Sequence, residues 1–174
     1  MKPLFIAVVG PKKSGKTRII ETLTRELTRR QRNVAVLKHI PEINFTIDTK
    51  GKDTWRFAKA GATKIISVSS DEIATIEKTA TANLSVGKLL ERSRGSDIVF
   101  IEGFRNLVSK NKQIGKIVLV RSPQEAEESM KAFRPILAFA GEGPMENLPR
   151  NKVYVDIPRG LSKLADMIEK ISMS

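Results

Sequence analysis

The sequence predicts an α/β fold, a three-layer sandwich on a mostly parallel sheet. Two observations on patterning predict it. Apolar blocks recur at Leu4–Val9, Val34–Leu37, Ile65–Val68, Ile98–Ile101, Ile117–Val120 and Ile136–Phe139 without polar alternation, as strands covered on both faces require. Helical patterns lie between several of these blocks, which makes βαβ units. A third observation narrows the class. The first block runs directly into Gly10-Pro11-Lys12-Lys13-Ser14-Gly15-Lys16-Thr17, which fits G-x-x-x-x-G-K-[ST] at every fixed position. That combination predicts a P-loop NTPase. The length of 174 residues suits a single nucleotide-binding domain over 1–174, with no repeat, low-complexity segment or linker.

The helices can be placed in order. Ile19, Ile20, Leu23 and Leu27 share one helical face, and that helix should end near Arg29, Arg30 and Arg32 with Asn33 as a left-handed cap. A second helix is expected from about Asp53 to Lys59, stopped by Gly61. A third carries Leu84, Leu89 and Leu90 and stops at Gly95. Pro123–Phe133 is a fourth candidate, and Leu161, Leu164, Ala165, Ile168 and Ile171 form the stripe of a last helix. Two stretches break the pattern. Ile40–Lys52 is long for a connection and contains Phe45-Thr46-Ile47-Asp48, a candidate short strand. Gly103–Gly115 is polar and basic. Long irregular segments of this kind are often functional.

Composition narrows the function classes. No apolar run approaches the ~18–20 residues of a membrane-spanning helix. Leu4–Val9 behind Met1-Lys2-Pro3 is too short for a signal-peptide core, so a cytoplasmic protein is expected. With no cysteine and one histidine, His39, thiolate and multi-histidine metal sites are excluded. The net charge of +12 attracts polyanions, but the basic residues are scattered and aromatics are 5% of the chain. Nucleic acid is therefore a weaker expectation than a nucleotide or phosphorylated cofactor.

The Gly10–Thr17 spacing has a physical basis. Successive backbone N–H groups must turn inward toward phosphate oxygens, and Gly10 and Gly15 permit the required angles and close approach. The helix that follows adds its own unpaired N–H groups. Lys16 is expected on the β- and γ-phosphates, and the Thr17 hydroxyl on Mg²⁺. Lys12, Lys13, Ser14 and Arg18 complete the expected binding set.

Acidic candidates follow from position. Asp97-Ile98-Val99-Phe100-Ile101-Glu102-Gly103 is a buried strand ending in a carboxylate. Ligands of open α/β sheets bind at carboxyl strand ends, which favours Glu102 over Asp97 for the magnesium shell. The bland reading of Glu102 is an ion pair with Arg105. Asp48 is the second candidate, as metal ligand or catalytic base. Asp53 reads equally as a helix cap. Lys16, Asp48 and Glu102 are thus the expected catalytic residues. His39 ends the second strand and reads more readily as structural than as a proton carrier.

Taken together, Gly10–Thr17, Lys38-His39, Phe45–Asp48, Gly51-Lys52-Asp53-Thr54-Trp55-Arg56, Ala60-Gly61-Ala62 and Asp97–Arg105 resemble the molybdopterin-guanine dinucleotide biosynthesis protein B family over about residues 4 to 121. The resemblance implies a GTP-binding adapter with weak GTPase activity, a homodimer that assists the molybdopterin guanylyltransferase and handles molybdopterin. It implies that Gly10–Thr17 bind phosphates while Glu102 and Asp48 serve Mg²⁺. A preference for GTP rests on this resemblance, because Asn111-Lys112-Gln113-Ile114 lacks the aspartate of an Asn-Lys-x-Asp guanine-reading motif. The alternative is a P-loop kinase, with Asp48 as the base for a small-molecule hydroxyl.

Overall fold

The structure, a computed structural model, describes residues 3–81, 84–149 and 152–173; Met1 and Lys2 lie outside the described residues. In chain order the elements are β1 (Leu4–Val9), α1 (Lys16–Arg29), β2 (Val34–Lys38), α2 (Asp53–Lys59), β3 (Lys64–Val68), β4 (Ile73–Glu77) and α3 (Val86–Glu91). Then follow β5 (Ile98–Glu102), α4 (Arg105–Val108), β6 (Ile114–Leu119), α5 (Pro123–Ala132), β7 (Ile136–Glu142), β8 (Tyr154–Ile157) and α6 (Leu161–Ser172). The chain groups into two compact units, Met1–His39 with Ser85–Ser174, and Ile40–Leu84.

The first unit is built on a six-stranded parallel sheet in the order β2-β5-β1-β6-β7-β8. β1 is central, and the chain moves to opposite sides of it before and after β5. That reversal is a topological switch point, where open sheets bind ligands. Both faces are covered, which explains the unbroken apolar runs. Ile6 and Val8 of β1 pack with Ile19, Leu23 and Leu27 of α1 and Leu164 and Ile168 of α6. Phe5, Ala7 and Val9 point the other way, into a cluster with Val108, Ala126 and Phe133. Burying each such side chain contributes about 1.5–3 kcal/mol.

The second unit holds α2 and an antiparallel hairpin of β3 and β4, with Ile66 opposite Thr75 and Val68 opposite Ile73.

Several expectations need correction. Ile65–Val68 is a strand, but it belongs to the separate hairpin and not to the parallel sheet. An apolar run signals burial or pairing without naming the partner. Phe45–Asp48 is not a strand. The turn after α1 is made by Gln31, at φ 63°, and not by Asn33. Asn33 instead anchors the start of β5, its carbonyl accepting from the Asp97 and Ile98 amides while its own N–H donates to Asp97 Oδ2. The third helix starts at Val86, capped by Ser85, so Leu84 precedes it. Gly103–Gly115 is less irregular than expected, since it contains α4 and the first residues of β6.

Candidate functional site

The loop between β1 and α1 has the backbone of an anion cradle. Gly10 (φ 155°), Lys13 (φ 59°) and Gly15 (φ 83°) all have positive φ. A Cβ at Gly10 would stand 2.9 Å from Leu119 Cβ and 3.0 Å from Ser14 Oγ, so only glycine lets the loop close here. α1 begins at Lys16 without a side-chain cap, which leaves its first N–H groups to an anion. Ser14 Oγ is buried and has no hydrogen-bond partner. A buried orphan hydroxyl is costly unless a ligand engages it. Lys16 Nζ donates to the carbonyls of Gly10 (3.3 Å) and Pro11 (2.5 Å), which holds the ammonium over the loop. These features fit a polyphosphate.

The parallel pairing of β5 beside β1 then places an acid at the loop. Thr17 Oγ1 donates to Glu102 Oε1 and Oε2 at 3.0 and 3.1 Å. The hydroxyl and carboxylate form an all-oxygen pair next to the cradle. Mg²⁺ takes few protein carboxylates and completes its shell from phosphate and water, so the pair fits Mg²⁺. Lys38 Nζ lies 3.6 Å from the same carboxylate, because Lys38 and Glu102 are register partners on β2 and β5. Sequence reading passed over Lys38 as a site residue. Its signal, a charge at a strand's carboxyl end, becomes legible only with the strand order. Arg105 does not pair with Glu102; its guanidinium sits 5.1 Å over the Phe133 ring. Asp97 lies at the opposite end of β5, bonded to Asn33.

Glu102-Gly103-Phe104 has a steric rationale. Gly103 has φ 90°, and a Cβ there would come within 2.7 Å of His39 Cβ. The His39 N–H donates to the Glu102 carbonyl, and the His39 and Phe104 ring centroids are 5.0 Å apart. His39 thus ties the ends of β2 and β5 together.

Asp48 belongs to the second unit, where Thr54 Oγ1 donates to its Oδ1 at 2.7 Å. Its Oδ2 is buried without a partner. Asp53 is the first residue of α2 and not its cap, and it lies 3.5 Å from Arg56. Lys12 and Lys13 are exposed. Lys13, Ser14, Gly15 and Arg18 line a cavity of about 300 Å³ that continues past the ends of β6, β7 and β8.

This fold and loop define a P-loop NTPase. The chain matches the family model of molybdopterin guanine dinucleotide synthesis protein B, MobB, over residues 5–142, and it belongs to that family. It is 32% identical over 168 residues to the molybdopterin-guanine dinucleotide biosynthesis adapter protein of Haemophilus influenzae, covering 95% of this chain and 87% of that one. It is 29% identical over 136 residues to the protein of the same name in Escherichia coli, covering 76% and 74%. A crystal structure of molybdopterin-guanine biosynthesis protein B superposes with TM-score 0.74 at 24% identity, over 98% of this chain and 100% of that one. Bacillus subtilis MobB gives 0.69 at 20% identity, over 94% and 97%. The structural likenesses speak for the fold.

Proposed function

We propose that this chain binds GTP with Mg²⁺, hydrolyses it slowly, and serves as an adapter for the guanylyltransferase that makes molybdopterin guanine dinucleotide. The observation that carries the reading is the Thr17–Glu102 pair beside the phosphate loop, in a chain of the MobB family. Gly10–Arg18 hold the phosphates through backbone N–H groups, and Lys16 neutralises their charge. Thr17 and Glu102 hold the metal. Bound Mg²⁺ supplies charge stabilisation at the terminal phosphates. The chain's assigned residues grip phosphate and metal; none is assigned to orient an attacking water, which fits slow turnover. Cytoplasmic action and handling of molybdopterin belong to the same proposal.

Homodimerisation is part of it too. The hairpin of the second unit exposes Ile66, Val68 and Ile73 on one face, and apolar clusters of this kind mark association surfaces.

A kinase is the second reading, favoured by the buried Oδ2 of Asp48, an acceptor with no partner of its own. One assay separates them. The protein is incubated with Mg·GTP or Mg·ATP, with and without a pool of hydroxylated metabolites. Slow, acceptor-independent loss of GTP together with co-purification of a molybdopterin guanylyltransferase supports the adapter. Phosphorylated product that forms only with an acceptor sinks it in favour of the kinase.

A further inference from the structure

We propose that the cavity beside Lys13–Arg18 seats the guanine ring of the nucleotide, and that Glu142 reads it. This rests on the loop being a nucleotide site. The cavity, about 300 Å³, opens off the start of α1 and runs over the carboxyl ends of β6, β7 and β8. The cavity adjoins Lys13, Ser14 and Gly15 of the loop, within reach of a base whose phosphates lie on that loop. Along this crevice Ile19, Leu119, Val120, Ile157 and Pro158 give apolar surfaces suited to the flat faces of a ring, and Lys13, Arg18 and Arg121 add positive charge to its lining. The carboxylate on this wall is Glu142, the last residue of β7.

Glu142 is exposed, and its backbone is fixed by the neighbouring strand and by the turn that follows. It pairs with Ile157 across β7 and β8. The turn that follows is pinned, with the Gly143 N–H donating to Asp156 Oδ1 at 2.8 Å and the Tyr154 hydroxyl donating to the Gly143 carbonyl at 2.9 Å. Among the described residues its carboxylate has no hydrogen bond or ion pair. Base chemistry then chooses the ligand. An ionised carboxylate only accepts. Guanine presents two adjacent donors, N1–H and the 2-amino group, which match two carboxylate oxygens. Adenine presents a lone pair at N1, which the carboxylate repels. Glu142 therefore supplies, from a strand end, the acceptor that the sequence lacks in an Asn-Lys-x-Asp loop.

The test is calorimetric titration of the full chain and of Glu142→Gln with the Mg²⁺ complexes of GTP, ATP and xanthosine triphosphate. The parent should bind GTP more tightly than either competitor. Glu142→Gln should weaken GTP by roughly tenfold to a hundredfold, the loss of charge-assisted hydrogen bonds, and bind ATP more tightly than the parent, because an amide donor replaces the carboxylate that repels adenine N1. It should also tighten xanthosine triphosphate, because the amide donates to the xanthine 2-carbonyl while still accepting from N1–H. A variant with the parent's GTP affinity, or one losing GTP and ATP equally without that gain, overturns the proposal. A parent that binds GTP with an indifferent Glu142 sinks this inference alone. A parent that binds no nucleotide sinks the phosphate-site reading along with it.

Discussion

Two lysines show how position decides what a charge does. Lys16 sits on the phosphate loop with its ammonium over the Gly10 and Pro11 carbonyls, ready to exchange those acceptors for phosphate oxygens. Lys16→Ala should cost about 1.5–3 kcal/mol of nucleotide affinity, the worth of a charge-assisted hydrogen bond. A titration in which the variant binds as tightly as the parent would contradict that. Lys116 is fully buried inside β6, where its ammonium donates to the carbonyls of Asn111, Ile114 and Arg134. Burial pushes it down from 10.5 to about 8. Below pH 8 the folded state carries the whole desolvation penalty. As pH rises from about 8 to 10.5 the unfolded chain binds more protons than the native one, so stability rises. Denaturant unfolding of the parent and of Lys116→Met should show the parent gaining on the variant across that window. A constant gap would count against the assigned burial.

At the scale of elements, α1 and α6 are clasped by ions as well as by their shared apolar face. Arg30 of the α1 C-cap reaches Glu26 (2.8 Å), Asp166 (2.6 Å) and Glu169 (2.7 Å), and Arg32 reaches Glu169 at 2.9 Å. Hydrogen bonds from Arg29 and Arg30 hold Glu26 at about 2, and Arg30 and Arg32 lower Glu169 in the same way. Carboxyls lowered by folding contribute stability above their unfolded value, near 4.5, and lose it as pH falls through the folded one. The melting-temperature gap between the parent and Glu26→Gln/Glu169→Gln should therefore shrink from about pH 4.5 toward pH 2. A gap that stays constant over that range would show that the network does not titrate with folding.

For the whole molecule, the exposed apolar side chains concentrate in the second unit. Ile43 is 90% exposed, Val68 72% and Ile73 70%, whereas the first unit buries most of its large apolar residues between sheet and helices and leaves Val36, Leu107, Val153 and Met173 exposed. A lone two-stranded hairpin is marginal in water, and an apolar outer face invites a partner. If a second copy covers it, Ile66→Asp with Val68→Asp should convert a dimer to a monomer in analytical ultracentrifugation while GTP affinity is retained. A dimer that persists in the variant would place the interface elsewhere.

The sequence by itself determined the phosphate loop and the class of fold. Both are local facts: eight contiguous residues carry the loop's chemistry, and runs such as Phe5–Val9 declare strands covered on two faces. Glu102 was legible as a strand-end acid for the same reason, and α1, α2 and α6 were legible from their stripes and stops. That the strand of Glu102 lies beside the first strand was expected of a P-loop fold; only the tertiary structure decided that β2 lies beside β5, which brings Lys38 to Glu102. It also decided that Ile65–Val68 pairs outside the main sheet, that Gln31 makes the turn after α1, and that Tyr154–Ile157 closes the sheet's far edge. Periodicity along a chain records how deeply a segment is buried. Which segments become neighbours is settled by packing between residues far apart in sequence, and no local pattern carries that information.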